Sequence, residues 1–419
     1  MPVELTLILC LVVIFVVPIF FDVNVGIVAF IVAFIAGTLA LDLSAREVLA
    51  GFPSNMFLML VGITLLLAIA HRNGTVDWIV GKLVALAGGR LVLLPWVLFV
   101  TALVTATMGP GAAPVLFVIG VGMVSRYGLN PLLVAAMIIH GTQAGAYSPV
   151  APYGLVISEL AGADGMVHSP VLLYAGVVAF HVVLAAVVFF LLGGRQLVGV
   201  SVEFAQGGAH VDTPSIEQEK LSAIQLLTLL GFASLVLGIL LFQINIGFLA
   251  MTIALVLLLA GKREERSSAV NNVAWPIVLV ICGVLTYVSL LQEAGATNWL
   301  AAQANTLGSP VLVGLILCFI VSIITGVAST IGTIGILVPL AAPFVLAGDL
   351  QATSLLTAMS VSAAVSDISP FSTWGAMFLA TASQVLNRQE IFKAQLKYTL
   401  YMVTIMPIIA WSIFVLPGW

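Results

Sequence analysis

Apolar residues in this chain gather into long runs bounded by Gly, Pro or charge, near 4–20, 24–41, 56–71, 170–192, 222–242, 244–261, 274–292 and 392–416. Many approach the ~20 residues that a helix needs to cross a bilayer core. Two further segments, 131–161 and 352–382, are longer, and each is interrupted at its middle by Ser-Pro, at Ser148-Pro149 and Ser369-Pro370. Proline removes a backbone donor and clashes with the preceding turn, so both helices should unwind there. Two more apolar stretches, 91–125 and 311–346, break at Gly- or Ser/Thr-rich points. Their arms of about 16 residues reach roughly 24 Å, short of the ~30 Å hydrocarbon core. They read as re-entrant hairpins rather than pairs of complete spans.

The halves of the chain match at a constant offset of 221 residues: Asn24/Asn245, Gly26/Gly247, Gly62/Gly283, Gly74/Gly295, Trp78/Trp299, Ser148/Ser369, Pro149/Pro370 and Gly154/Gly375 all obey it. Shared apolar residues mean little in such a chain. Matching Gly, Pro, Asn and Trp in one register indicates an internal duplication. The fold class expected is therefore an all-α polytopic membrane protein of two repeats, 1–192 and 222–419, joined by a cytoplasmic connector at 193–221. Each repeat has five spans plus one hairpin. Five is odd, so the second repeat enters the membrane inverted, the architecture of secondary transporters with a site near the midplane.

Charge orients this arrangement. Under it, twelve of the thirteen Lys and Arg residues share one face, and only Arg46 lies on the other. By the positive-inside rule the crowded face is cytoplasmic, which puts both termini outside. The N-terminus lacks the basic region of a signal peptide, so the first apolar run reads as a retained span.

Composition adds exclusions. The chain has 419 residues, 62% hydrophobic and 7% charged, with a mean hydropathy of +1.25. A soluble domain carries about 25% charged residues. No basic cluster points to nucleic acid, no phosphate-loop Lys follows the Gly-rich stretches, and Cys10, Cys282 and Cys318 show no metal or disulfide spacing. No acid, base and nucleophile set converges as an enzyme would require, and no cofactor is implied.

The chemistry should gather at four breaks, the two hairpin tips and the two Ser-Pro interruptions. Unwound backbone in a bilayer must be buried or line a wet cavity, and half-helix N-termini attract anions through free N–H groups and the helix dipole. No Lys or Arg lies mid-span, so an anion must be held by backbone and hydroxyls. The candidate substrate-binding residues are Gly109, Pro110, Gly111, Ser148, Pro149, Ser329, Thr330, Thr333, Ser369, Pro370, Ser372 and Thr373. The competing role for the hydroxyls is helix capping or back-bonding. Asp367 is the acid near the middle of a span, with Ala146 at its repeat position. Intramembrane acids default to function, the alternative being a structural cap on free N–H groups; beside an anion this one must be protonated or paired with a cation, so coupling to Na+ or H+ stays open. His140 and His181 read as core histidines, and Gln143 as a substrate contact or interhelical glue.

A hairpin tip followed by a Ser-Pro-broken helix, given twice in inverted order, resembles the ion transporter superfamily, which includes the divalent anion:sodium symporters. The segments Thr107-Met108-Gly109-Pro110-Gly111-Ala112-Ala113-Pro114, Ala144-Gly145-Ala146-Tyr147-Ser148-Pro149 and Ser366-Asp367-Ile368-Ser369-Pro370-Phe371-Ser372-Thr373 look most like MatC-type malonate/dicarboxylate carriers. The resemblance implies a homodimer, elevator-type alternating access and a small carboxylate substrate, in a bacterial inner membrane. In the sodium symporters both tips carry Ser-Asn-Thr. Here Ser329 and Thr333 keep hydroxyl positions and the Asn is missing from both tips, which departs from two-site sodium coupling. The rival expectations are a cation/proton antiporter, a metalloid-oxyanion transporter, or the membrane subunit of a tripartite carrier.

Overall fold

The computed structural model describes residues 2–21, 23–75, 78–79, 82, 90–109, 112–198, 221–242, 244–261, 266, 269–296, 299, 309–327, 330–383 and 386–418. Among them the regular elements are helices. The first half holds α1 (Val3–Phe21), α2 (Val25–Ala40), the short α3 (Ala45–Ala50), α4 (Ser54–Arg72), α5 (Leu94–Ala106), α6 (Ala113–Tyr127), α7 (Pro131–Ala146), α8 (Pro152–Ala163) and α9 (Pro170–Leu191). The second half holds α10 (Ala223–Phe242), α11 (Ile246–Ala260), α12 (Trp275–Glu293), α13 (Pro310–Thr325), α14 (Thr330–Leu346), α15 (Ala352–Ser366), α16 (Thr373–Ala382) and α17 (Arg388–Phe414). The connector expected at 193–221 lies mostly outside the described residues; its start, Gly194–Leu197, is a 3-10 turn.

Of these, α4, α9 and α17 are long and apolar enough to cross a membrane by length and composition, and many of the others are shorter apolar helices. Apolar side chains point outward along them, such as Leu39 and Leu191, which are 83% and 76% exposed. A soluble protein would not leave such faces to water. This is the surface of a membrane protein.

Helix starts recur 221 residues apart in several places: α2 and α11 begin at Val25 and Ile246, α4 and α12 at Ser54 and Trp275, α7 and α15 at Pro131 and Ala352, α8 and α16 at Pro152 and Thr373. Contacts between the halves are reciprocal as well. Gly283 of α12 lies so close to Gly26 of α2 that an added Cβ would sit 2.2 Å from Gly26 O. Gly62 of α4 lies against Gly247 of α11, where a Cβ would sit 2.8 Å from Gly247 O. Since 26 pairs with 247 and 62 with 283, each contact is the other with its partners exchanged. Two polar contacts follow the same rule. Asn24 Nδ2 donates to Pro276 O at 3.0 Å, and Asn245 Nδ2 donates to Asn55 Oδ1 at 2.8 Å. Exchange of this kind is what packing about a twofold axis produces.

Small residues make the crossing possible. The buried face of α2 is Gly26, Ala29, Ala33, Ala36 and Gly37, and that of α11 is Gly247, Ala250, Ala254 and Leu257. Spacing small residues by three and four lets helix backbones touch, which is how helices associate where lipid is as apolar as leucine. The crossed pairs α2–α12 and α4–α11 form one group. The second group is α5 to α9 with α13 to α17, in which α7 packs on α5, α6 and α9 while α15 packs on α13, α14 and α17. The groups meet where α14 lies on α12 and α8 lies near α4.

Candidate functional site

The breaks are built locally. Helix α7 stops at Ala146 and α8 begins at Pro152; α15 stops at Ser366 and α16 begins at Thr373. In each, the serine before proline shapes the turn. Ser148 N–H donates to Gly145 O at 2.9 Å, and Ser369 N–H donates to Ser366 O at 3.1 Å. Each serine Oγ then accepts the backbone N–H two residues on, from Val150 at 3.3 Å and from Phe371 at 3.2 Å. The chain folds back over its own carbonyls: a Cβ on Gly154 would stand 2.2 Å from Ser148 O, and one on Gly375 1.9 Å from Ser369 O. Only glycine fits at either place.

The hydroxyls of Ser148, Ser369 and Ser372 are engaged with backbone, as the capping alternative requires. Ser148 Oγ donates to Thr107 O at 2.8 Å, tying the first break to the first hairpin, and Ser372 Oγ lies 2.8 Å from both Asp367 O and Ser369 O. Thr373 is exposed, Pro149 is half-buried and Pro370 is buried. Gly109 is buried with φ +140°, against Leu67 of α4. Pro110, Gly111 and Ser329 lie outside the described residues. Thr333 is fully buried on α14, one turn past Thr330.

The groups that converge do so on Asp367, which has no exposed surface. Thr330, first residue of α14 at the second hairpin tip, donates its hydroxyl to Asp367 Oδ2 at 2.5 Å. Gln143 of α7 donates Nε2 to the same oxygen. One carboxylate oxygen thereby joins a hairpin tip, an unbroken stretch of the first repeat and the break of the second. Asp367 Oδ1 and Gln143 Oε1 are buried with no hydrogen-bond partner among the described residues. Tyr147 Oη and Trp374 Nε1 are likewise buried and unbonded. Tyr147 and Tyr153 lie edge to face at 5.3 Å, both within electrostatic reach of Asp367, and the Tyr153 hydroxyl also senses Thr330 and Trp374. Among the described residues the site thus gathers several buried polar atoms without a close hydrogen-bond partner.

Gln395 of α17 braces it. Its Nε2 donates to Ile368 O at 3.1 Å and Gly375 O at 3.0 Å, bridging the two sides of the second break. One turn further, Tyr398 Oη lies 2.7 Å from His140 Nε2, and His181 Nδ1 lies 2.9 Å from Val177 O. Both histidines sit in the core, as the sequence indicates. A shallow cleft opens elsewhere, beside the first hairpin tip, lined by Leu67, His71, Met108, Gly109, Ala112 and Phe232 among others. It lacks a carboxylate.

Sequence reasoning reaches Asp367, Thr330 and Gln143 and misses Tyr147, Tyr153, Trp374 and Gln395. The offset held a signal for two of them. Tyr153 and Trp374 are repeat equivalents, each beside the glycine of its break.

Residues 1–146 match the family model described as the N-terminus of the dicarboxylate carrier protein MatC. That agrees with the resemblance read from Thr107–Pro114. Two solved structures share the fold. The YdaH transporter of Alcanivorax borkumensis, whose topology its authors call unusual, superposes with a TM-score of 0.63 at 16% identity, over 88% of this chain and 89% of that one. MtrF of Neisseria gonorrhoeae, described as illuminating a class of antimetabolite efflux pumps, gives a TM-score of 0.59 at 13% identity, over 91% and 84%. No curated protein sequence matches the chain significantly. The family match and the shared fold support a membrane transporter, and these relatives are transporters or pumps rather than enzymes.

Proposed function

We propose that this chain, MatC-like over its first 146 residues, is a secondary active transporter of small dicarboxylates of the malonate or C4 class. Its two halves act as inverted repeats, α5–α9 with α13–α17 move as the carrier against the crossed α2–α12 and α4–α11 pairs, and a proton or sodium gradient drives the cycle. The working form is a homodimer in the bacterial inner membrane with both termini outside.

The observation that carries this reading is the meeting of two half-helix N-termini beside one buried carboxylate. Neither α8 nor α16 has a side-chain N-cap bond. Their first turns carry Tyr153 and Trp374, and both approach Asp367. Helix N-termini favour carboxylates by dipole and N–H donation. Among the described residues no Lys or Arg reaches this place to do the job instead. An anion beside Asp367 is tolerable only with a cation or proton between them, which is the physical requirement for cotransport.

The test uses the full-length protein in liposomes with labelled malonate, succinate and citrate, read as counterflow and as gradient-driven accumulation. Malonate or succinate should exchange and citrate should not. Absence of counterflow for all three would discard the carboxylate reading.

A further inference from the structure

Asp367 and Gln143 hold more information than their single hydrogen bond. The Gln143 amide donates Nε2 to Asp367 Oδ2, while Gln143 Oε1 and Asp367 Oδ1 are both buried and both unbonded. An ionised aspartate is acceptor-only, and an amide oxygen is acceptor-only. Two buried acceptors on one hydrogen-bonded pair, each without a partner of its own, are costly to desolvate. One hydrogen on Asp367 Oδ1 changes the account. The protonated carboxyl donates Oδ1–H to Gln143 Oε1 while the amide donates to Oδ2, so acid and amide close a cyclic pair and both orphaned atoms are satisfied. Interchanging the amide ends, which are assigned from the bonding network, leads to the same place: the ring closes only with one proton on the carboxyl.

Resting on the carrier reading above, we propose that the coupling ion at this site is a proton, held on Asp367 by a cyclic acid–amide pair with Gln143. Sodium fits the same atoms poorly. A hard cation wants several oxygen ligands, yet Oδ2 already receives the Gln143 N–H and the Thr330 O–H, and the buried indole N–H of Trp374 beside it can only donate. Donors around a carboxylate repel a metal ion.

The other groups facing Asp367 are consistent with this. Tyr147 just past α7 and Tyr153 on α8 are the titratable ones, Thr330 comes from α14, Ser372 precedes α16 and Trp374 lies in its first turn. From α17, Gln395 reaches the neighbouring carbonyls, and the nearest imidazole, His140, is one turn back on α7 and bonded to Tyr398. None supplies a positive charge. The step is simple to balance. A lone pair on Oδ1 takes a proton from water on one side of the membrane, the neutral pair travels with substrate, and the proton returns to water on the other side as the carboxylate reforms.

Two readouts test it on the intact protein. In sodium-free liposomes, an imposed proton gradient should accumulate malonate; adding sodium should change nothing. Asp367→Asn keeps the cyclic pair as amide with amide but removes the exchangeable proton, so gradient-driven accumulation should collapse to equal concentrations. Gln143→Glu places two acids together, one of which must hold a proton, so the pH profile of accumulation should move to higher pH. Infrared difference spectra supply the second readout without any substrate: wild type should show a buried carboxylic-acid carbonyl band that Asp367→Asn lacks. Sodium-dependent accumulation, or a carboxylic-acid band that sodium abolishes, overturns the proton assignment while leaving the carrier reading in place. Absence of counterflow removes the carrier reading, and the infrared band still decides the proton.

Discussion

At the first break a methyl group, Ala146, ends α7; 221 residues later a carboxylate, Asp367, occupies the same turn of the second break. Around them the skeletons coincide: a serine whose Oγ takes the N–H two residues on, a proline, a glycine folded onto the serine carbonyl, and an aromatic residue just before that glycine. The chemistry does not coincide. Thr330 at the second hairpin tip stands where the first has Gly109, and Gln143 stands where the second half has Ala364. So the shared residues make the geometry, and the unshared ones make the difference in chemistry. A duplicated fold supplies two equivalent frames, and one of them carries the ionisable group.

The comparison can be broken most forcefully by moving the acid. Asp367→Ala combined with Ala146→Asp keeps the charge count and the frame but separates the carboxyl from Thr330. The expected result is loss of accumulation together with poor yield, because an unpaired buried charge costs several kcal/mol. Full activity in the swapped protein would mean that the frames are interchangeable and the site is not where we place it.

Next in size is Thr330→Val. It removes a hydrogen bond to a charged or acidic group worth roughly 1.5–3 kcal/mol, or about 10- to 150-fold in apparent substrate affinity if binding depends on the pair. Gly109→Ser, the converse change in the first half, should gain nothing, since the Cβ there meets Leu67 at 2.2 Å. Half-saturation constants of the two variants make the test, and equal effects would erase the distinction between tips.

The frames themselves should fail alike. Gly154→Ala and Gly375→Ala each push a methyl into a backbone carbonyl, an overpacking of about 1–3 kcal/mol. Thermal unfolding in detergent should show two losses of similar size. Smaller again are Ser148→Ala and Ser369→Ala, which lose backbone-directed bonds of about 0.5–1.5 kcal/mol net. They should lower the melting temperature slightly and leave substrate affinity unchanged, whereas a large affinity loss would return these hydroxyls to the substrate.

The last prediction lies at the edge of the spans. Asp164, after the end of α8, is half-buried and accepts a bond from Gln292 of α12; burial pushes its carboxyl up from 3.8 to about 6, and the Gln292 amide opposes that rise. A raised acid binds its proton more tightly when folded. Its contribution to stability is therefore complete below about 3.8 and is lost as pH climbs through about 6. The effect is small because water still reaches the group. Asp164→Asn should flatten the melting temperature across that window; an unchanged slope would acquit this residue.

Much of the frame was readable beforehand because proline and glycine act through backbone rules that need no tertiary knowledge. Ser148-Pro149 and Ser369-Pro370 marked both interruptions, and the structure stops α7 and α15 within a few residues of them. Asp367 was readable because an acid in an apolar run stands out, either as a functional group or as a cap on free N–H groups. The direction of a hydroxyl was not. Ser148, Ser369 and Ser372 had carbonyls within reach that only the folded turn reveals. Tyr147, Tyr153 and Trp374 passed as ordinary span residues because an aromatic ring looks apolar in sequence. Their polar tips matter only once they are seen sealed beside Asp367. Gln395 sits 27 residues from the Ile368 carbonyl it braces, a relation that no local pattern encodes.

The glycine crossings have a mechanical meaning. Where Gly26 meets Gly283 and Gly62 meets Gly247, main chain rests on main chain with no side chain between to change rotamer. Such a joint has no lubricant. It cannot slide or pivot by small side-chain adjustments, so the crossed pairs behave as a rivet, and whatever displacement the protein undergoes must be taken up outside them.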